Sequence, residues 1–544
     1  MDISNIMFLI AGLGAFLIGF KILSENLSRL AGKTMRKMFN KISGNKLAGV
    51  AVGAGSTALI QSSAATTVML IGFVNAGLLT LYQAVPIIMG ANVGTTITAL
   101  ILSLDAIDVP LYAMGLSLIG IFASMLVKRE RTKTMFLAIA GIGLVFFGLK
   151  TMSTQMKDLA ENAPFVRQAL SSISFPLLLM GLGIVFTIIM QSSTAVTGIL
   201  LSMAGAGIVI GAEGGNGIYF VILGTNIGTC LTAIISAIGA STNAKRTAVI
   251  HLMFNVVGSV IFLIMLWIWG GFGQFWDGLI ESPKMEIAIF HMAFNLLCTI
   301  MFLPFSGVFV KVAEALIPDK KKGKKPTATL LDERLLSTPA VAAGAALIET
   351  QNMAHISMKT LTDAFDGFMD KDESVADVVQ ENINKVSAMN SEITSYLVKM
   401  STKNIGGSTE AIVSSIHTAL PDILRIGELS DNLLKYTRTY IKEELVFSEP
   451  VIQELKDMFE TMKKLFGMSM KALEMDANFN LDAAEELENQ VDGFKKSLLD
   501  GHMQRLNDGT CSPESSGVFI NLVNNLERAG DHMIFIAENF SKII

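Results

Sequence analysis

Gln61-Ser62-Ser63-Ala64-Ala65-Thr66-Thr67 lies in a stretch almost without charge and returns as Gln191-Ser192-Ser193-Thr194-Ala195-Val196-Thr197. A second signature follows each copy about thirty residues on. It reads Gly90-Ala91-Asn92-Val93-Gly94-Thr95-Thr96 after the first and Gly224-Thr225-Asn226-Ile227-Gly228-Thr229 after the second. Two signatures repeated in the same order indicate an internal duplication. Amides and hydroxyls set between apolar helices are what an ion site inside a membrane requires, because polar side chains at that depth are costly unless they have work to do.

Working outward, charged residues are only 16% of the chain, against about a quarter in ordinary soluble domains. Mean hydropathy is +0.53. Residues 47–127 carry only Asp105 and Asp108 as charges, and residues 168–244 only Glu213. Several apolar runs approach the roughly 20 residues that cross a bilayer. Ile6–Phe20 lacks the preceding basic residue and small-residue cleavage site of a signal peptide, so it reads as a retained first membrane helix. The expected organisation is a membrane domain over 1–317, a basic linker over 318–339, and a helical domain over 340–544. Lys320-Lys321-Lys322-Gly323-Lys324-Lys325 reads as a juxtamembrane anchor, and the net charge of −5 argues against a nucleic-acid partner. Cys230, Cys298 and Cys511 lack metal-ligand spacing.

Basic loops orient the two copies. Residues 21–46 and 128–133 are basic and read as cytoplasmic. The segment with Asp105 and Asp108 and a loop near 150–175 read as outside, and Lys245-Arg246 as inside. The repeats, about 47–127 and 168–269, then face opposite ways, a recurrent plan of secondary transporters with substrate held where the repeats meet. Each Gln-Ser-Ser segment is expected at the tip of a re-entrant hairpin, with arms near 47–60 and 64–79 in the first copy. Each Gly-Asn-Gly-Thr segment is expected as an unwound break in the next helix, since glycine accepts backbone conformations closed to other residues. Single helices are expected over 109–127, 247–269 and 286–311.

Half-helix N-termini attract anions, and carbonyls and hydroxyls are hard donors suited to an alkali cation. The repeats offer no carboxylate for proton coupling, which favours sodium. Packing between helices is the competing role for any one serine or threonine. His251-Leu252-Met253-Phe254-Asn255 and His291-Met292-Ala293-Phe294-Asn295 place His and Asn at i and i+4 on one face, either for interhelical hydrogen bonds or as a proton-sensitive element. No nucleophile elbow, nucleotide loop or HExxH motif is present, so an enzyme is not expected. Residues 340–544 have helical apolar spacing and a second duplication. Arg425-Ile426-Gly427-Glu428 resembles Arg528-Ala529-Gly530-Asp531, and Asn382-Ile383-Asn384 resembles Gln490-Val491-Asp492. Glu527 and Asp531 share a helix face and are candidate metal ligands, a solvated face being the alternative.

On these motifs the chain resembles the type II sodium–phosphate cotransporters in their bacterial form with a C-terminal PhoU-like domain. The resemblance implies an all-α polytopic membrane protein with inverted repeats and a cytoplasmic PhoU-like bundle. It implies inorganic phosphate as substrate, sodium as coupling ion and a cytoplasmic-membrane location. Substrate and ions would be bound by Gln61, Ser62, Ser63, Thr66, Asn92, Thr95 and Thr96 of the first copy. Gln191, Ser192, Ser193, Thr194, Asn226 and Thr229 would serve in the second. It further implies a divalent or iron site near Glu527 and Asp531, and a homodimer or regulatory partner reached through the PhoU-like domain. Another oxyanion, net export, or a phosphate sensor without flux are the alternatives.

Overall fold

The computed structural model describes residues 3–40, 45–75, 79–104, 109–162, 164–211, 215–318, 331–337, 339–402, 405, 407–509 and 513–543. The expectations for Asp105, Asp108, the Lys320–Lys325 tract and Cys511 lie outside the described residues. The chain divides into two compact units, Met1–Ala328 and Thr329–Ile544. No strand occurs among the described residues.

The first unit runs α1 (Ile3–Asn40), α2 (Lys46–Ile60), α3 (Ser63–Asn75), α4 (Leu81–Leu102), α5 (Val109–Leu126), α6 (Glu130–Asn162) and α7 (Pro164–Ser171). Then come α8 (Pro176–Met190), α9 (Ser193–Gly205), α10 (Gly217–Ser236), α11 (Thr242–Ile268), α12 (Phe272–Asp277), α13 (Pro283–Phe302) and α14 (Ser306–Leu316). Among the described residues, six of its helices are long and apolar enough to cross a membrane. Leu118, Ile119, Phe186, Ile189 and Trp267 are more than half or nearly half exposed on its surface, an apolar coat that suits lipid and would be a liability in water.

Each Gln-Ser-Ser segment breaks a helix pair, as the hairpin expectation required. Gln61 (φ 59°) ends α2 and Gln191 (φ 51°) ends α8, both left-handed. Glutamine is an uncommon choice for this conformation, which costs an L-residue about 1–2 kcal/mol. The same outlier occurs at equivalent places in both repeats, so the surrounding structure holds the strain twice in the same way. Ser62 and Ser192 then cap α3 and α9, accepting the Ala65 and Ala195 amides at 3.1 Å each.

The pairs enter from opposite ends. Asn75, closing α3, accepts the Ser241 amide at the start of α11 (2.8 Å). Gly205, closing α9, lies against Lys284 at the start of α13. α11 and α13 begin at opposite ends of the unit, because Asn216 before α10 donates to the Leu266 and Trp269 carbonyls that close α11 (2.6 and 2.8 Å), while Tyr219 of α10 donates to Glu286 of α13.

The unwound breaks expected at Gly90–Thr96 and Gly224–Thr229 are absent, for α4 and α10 run through them without interruption. These glycines serve close approach instead. A Cβ on Gly90 would lie 2.0 Å from the Val50 carbonyl oxygen, and one on Gly224 2.0 Å from that of Met180. Gly53 and Gly183 return the contact, at 2.0 Å from Ile87 O and 2.1 Å from Val221 O. α2 thus lies on α4, and α8 on α10, through small residues four apart, the spacing that lets membrane helices touch backbone to backbone.

Two other expectations are corrected. α6 continues to Asn162, so most of the loop expected at 150–175 is helix. The single helix expected over 286–311 is divided into α13 and α14 around Pro304. Proline lacks an amide donor and disfavours helix in the residue before it.

The second unit starts with a 3-10 turn, Glu333–Ser337. It is followed by α15 (Pro339–Asp370), α16 (Ala376–Ser401), α17 (Gly407–Lys442), α18 (Glu449–Leu473), α19 (Leu481–Asn507) and α20 (Pro513–Ser541). The 3-10 turn lies in the stretch expected as linker. It is held to the bundle by buried Leu335 and by Tyr396, whose hydroxyl donates to the Asp332 carbonyl (2.9 Å). Helices α15–α17 and α18–α20 form two three-helix bundles, joined by stacking of Phe365 on Phe459 (4.0 Å) and by an Asn432–Asn525 hydrogen bond (3.1 Å).

Candidate functional site

Each hairpin's second arm lies between the two repeats, packing on its own and on the opposite one. α3 packs against α10, with Ile71 in the corner formed by Ala233, Ala237, Ala244 and Ala248. α9 packs against α4. α3 and α9 therefore each touch the Asn-x-Gly-Thr helices of both repeats, α4 and α10. Ser63 and Ser193 open these two helices and are buried.

Within the first copy, the Gln61 amide is fixed at both ends. Its Oε1 accepts from Thr98 Oγ1 at 2.5 Å, and its Nε2 donates to Ala58 O at 2.6 Å. Ser24 of α1 donates to the Ile60 carbonyl (2.6 Å), covering the break. Thr66 bridges it, receiving Thr57 Oγ1 and donating to Ser62 O (3.0 Å each). The second break is more open: Gln191 is exposed where Gln61 is buried. Thr194 is buried beside it.

Asn92 and Asn226 behave alike. Each donates its amide to the carbonyl four residues back, Ile88 at 2.9 Å and Ile222 at 3.0 Å, leaving the oxygen to face the interior. Thr95, Thr96 and Thr229 likewise bond back into their own helices, which commits the proton and leaves oxygen lone pairs. Asn226 Oδ1 accepts from Asn295 Nδ2 (3.3 Å) and lies 3.4 Å from His291 Nε2. One turn further along α13, Thr299 donates to Met89 O beside Gly90 (3.4 Å). A single face of α13 thus links both Asn helices, and the second His-x-x-x-Asn motif supplies interhelical bonds.

Several of these groups were not among the expected binding residues. Thr57, Thr67, Thr98, Thr187, Thr197, His291 and Asn295 join those expected. The oxygens of Thr67, Thr187 and Thr197, and Asn295 Oδ1, are buried without a hydrogen-bond partner. Such groups normally find one, which leaves these oxygens available as donors to a bound ion. The signal was present: Thr57 and Thr187, like Thr67 and Thr197, keep the offset of 130 residues that relates Gln61 to Gln191. Glu286, bonded to Tyr219, is a buried carboxylate of the membrane unit outside the two repeats.

In the second unit, carboxylate oxygens of Glu488, Asp492 and Asp531 lie within 4.8 Å of one another. Burial raises the pKa of Glu488 and Asp531 above the usual carboxylate range, and neighbouring acidic groups add to the shift. A divalent or iron cation fits this set, since it would neutralise charges that repel. Glu527 is engaged otherwise, 2.7 Å from Lys495 Nζ. Among the described residues, the first bundle has no such trio. Gly427 packs on Val386 as Gly530 packs on Val491, so Glu488 and Asp492 correspond to Ile383 and Ser387. The register expected from Asn382–Asn384 is therefore shifted by three residues.

Opposed broken-helix pairs around a shared polar centre, in a unit with an apolar coat, define a membrane transport protein. Comparison with known proteins specifies it. The Na+/Pi-cotransporter family matches residues 15–154 and again 150–279, and the PhoU domain matches 350–437 and 455–540. The chain belongs to the Na+/Pi-cotransporter family and carries a PhoU domain, as a multi-pass membrane protein. It is 32% identical over 308 residues to "Uncharacterized protein YqeW" of Bacillus subtilis, covering 56% of this chain and 96% of that protein. It is 25% identical over 541 residues to "Putative inorganic phosphate export protein YjbB" of Escherichia coli K12, covering 96% and 95%. Over 104 residues it is 38% identical to human sodium-dependent phosphate transport protein 2B, covering 19% and 15%. No solved structure matches the chain.

Proposed function

We propose that the chain is a sodium-coupled symporter of inorganic phosphate that works by alternating access in the cytoplasmic membrane, and that it is not an enzyme. The observation that carries this reading is the placement of both second hairpin arms, α3 and α9, between the two Asn-x-Gly-Thr helices, each touching both α4 and α10. Phosphate is held by the amides and hydroxyls at Ser63 and Ser193. The oxygens of Gln61, Gln191, Asn92, Asn226, Thr66, Thr95, Thr96, Thr194 and Thr229 complete the substrate and sodium shells. Ser62 and Ser192 position the helix starts as caps. The unequal exposure of Gln61 and Gln191 fits a carrier whose two halves alternate in opening.

The end bearing Lys245 and Arg246 is cytoplasmic by the charge rule. The PhoU-like unit is cytoplasmic and regulates transport, with Glu488, Asp492 and Asp531 holding a divalent or iron cation. Radiolabelled phosphate uptake into proteoliposomes, with an inward sodium gradient against one of potassium, tests the reading. Sodium-dependent accumulation supports it, and its absence with active protein refutes it. The name of the Escherichia coli relative favours a second reading, net export, which efflux from phosphate-loaded vesicles under the same gradients would reveal.

A further inference from the structure

α4 and α13 pack against each other, and two contacts fix their register. Ser103 Oγ lies 3.5 Å from Met285 Sδ, and Thr299 Oγ1 donates to Met89 O at 3.4 Å. Met89 and Ser103 are as far apart in the chain as Met285 and Thr299, so the helices run antiparallel without slippage. Asn92 therefore stands level with Asn295 to within about one residue's rise, ~1.5 Å. α4 belongs to the first repeat, whereas α13 follows the second.

The two carboxamides have spent their donors. Asn92 Nδ2 donates to Ile88 O (2.9 Å), and Asn295 Nδ2 to His291 O (3.0 Å) and Asn226 Oδ1 (3.3 Å). His291 Nε2, 3.4 Å from the same Asn226 oxygen, completes that junction. An oxygen remains on each side. Asn92 is buried and keeps its Oδ1 outside the Ile88 bond, while Asn295 is fully buried and its Oδ1 has no hydrogen-bond partner. A buried carbonyl oxygen is rarely left so. Bare lone pairs with the donors turned away attract a cation and repel an anion. No acidic residue occurs in α3, α4, α9 or α10, nor in α13 beyond Glu286. A divalent cation would lack the carboxylates it needs, whereas neutral oxygens suit sodium.

We propose that Asn295 is a sodium ligand, binding the coupling cation together with Asn92 across the α4–α13 contact while Asn226 steadies it through the Nδ2 bond. The inference deepens the sodium-coupled reading and rests on it. It gives a helix outside both repeats a share of the ion site. The cation then ties Asn92 of the first repeat to the helix that holds Asn226 of the second.

The test is the sodium dependence of initial-rate phosphate uptake by the full chain in proteoliposomes, with lithium as a second driving cation. Asn295→Leu is of similar size and removes the oxygen. It should raise the half-saturating sodium concentration about tenfold or more, the effect of losing one contact to a charge, with the phosphate KM at saturating sodium retained. Asn295→Asp keeps an oxygen of higher field strength and should raise lithium-driven uptake severalfold relative to sodium-driven uptake. An unchanged half-saturating sodium concentration in Asn295→Leu overturns the proposal. So does a fall in kcat alone, which would mark Asn295 as packing for Asn226. Should Asn295→Leu fail to fold, the Asp variant decides: a raised lithium-to-sodium ratio supports the ligand and an unchanged ratio overturns it. Wild-type uptake that ignores sodium would remove the coupled reading and this ligand with it, whereas sodium-driven wild-type uptake with unmoved variants removes the ligand alone.

Discussion

Replacing Gly90 or Gly224 with alanine tests whether these residues are contact points or hinges. The added Cβ would lie 2.0 Å from a backbone carbonyl oxygen of the facing helix, Val50 in one case and Met180 in the other. Ordinary contact is more than 1 Å longer, and a backbone carbonyl within a helix cannot rotate aside. The helices must therefore separate. Overpacking of this kind costs about 1–3 kcal/mol, and these sites belong at the upper end because backbone has to move. Alanine's better helix propensity returns about 1 kcal/mol, leaving a net loss of about 1–2 kcal/mol. Gly181→Ala in α8 is the control: nothing lies within 4 Å of its Cβ position, so only the propensity gain applies. Thermal unfolding in detergent should rank Gly181→Ala above wild type and both contact variants below it. Phosphate uptake should fall in the contact variants, because α4 and α10 carry Asn92 and Asn226. Wild-type stability in Gly90→Ala and Gly224→Ala would refute the packing argument and restore the view that these segments bend.

Other substitutions separate capping from binding. Ser62→Ala or Ser192→Ala should lower stability by about 1 kcal/mol through loss of a helix cap. Ser63→Ala and Ser193→Ala should leave the melting temperature near wild type while reducing sodium-dependent uptake. Thr98→Val strands the buried Gln61 oxygen and should cost about 1–3 kcal/mol, measurable by thermal unfolding. In the PhoU-like unit, Asp531→Asn should abolish stabilisation by added divalent or iron ions, followed as a shift in melting temperature, while Glu527→Gln largely preserves it. Without metal, the raised pKa of Glu488 and Asp531 makes the pair favour the protonated folded state. Stability should then fall as pH rises from the unfolded carboxylate range through their folded values, and a metal-free pH series of melting temperatures should show that sign.

Much of this protein was legible in its chain. Low charge over 47–127 and 168–244 requires a membrane environment, because apolar runs of that length cannot be covered in water. The twice-written Gln-Ser-Ser and Asn-x-Gly-Thr signatures locate a duplicated polar centre, and the breaks at Gln61 and Gln191 fall on them because a serine after each can cap the next helix. Local sequence also held the GxxxG spacing at Gly90 and Gly94, yet glycine serves equally as hinge or contact. Only the facing carbonyls of Val50 and Met180 decide between the two. Tertiary structure alone set α3 and α9 between the two repeats and brought His291, Asn295 and Thr299 to both Asn helices. It likewise joined Glu488 and Asp492 to Asp531 while drawing Glu527 to Lys495. These groups meet across contacts distant in sequence, where no periodicity records which faces will touch. A chain can state which residues are polar in an apolar setting; which of them converge depends on how the helices cross.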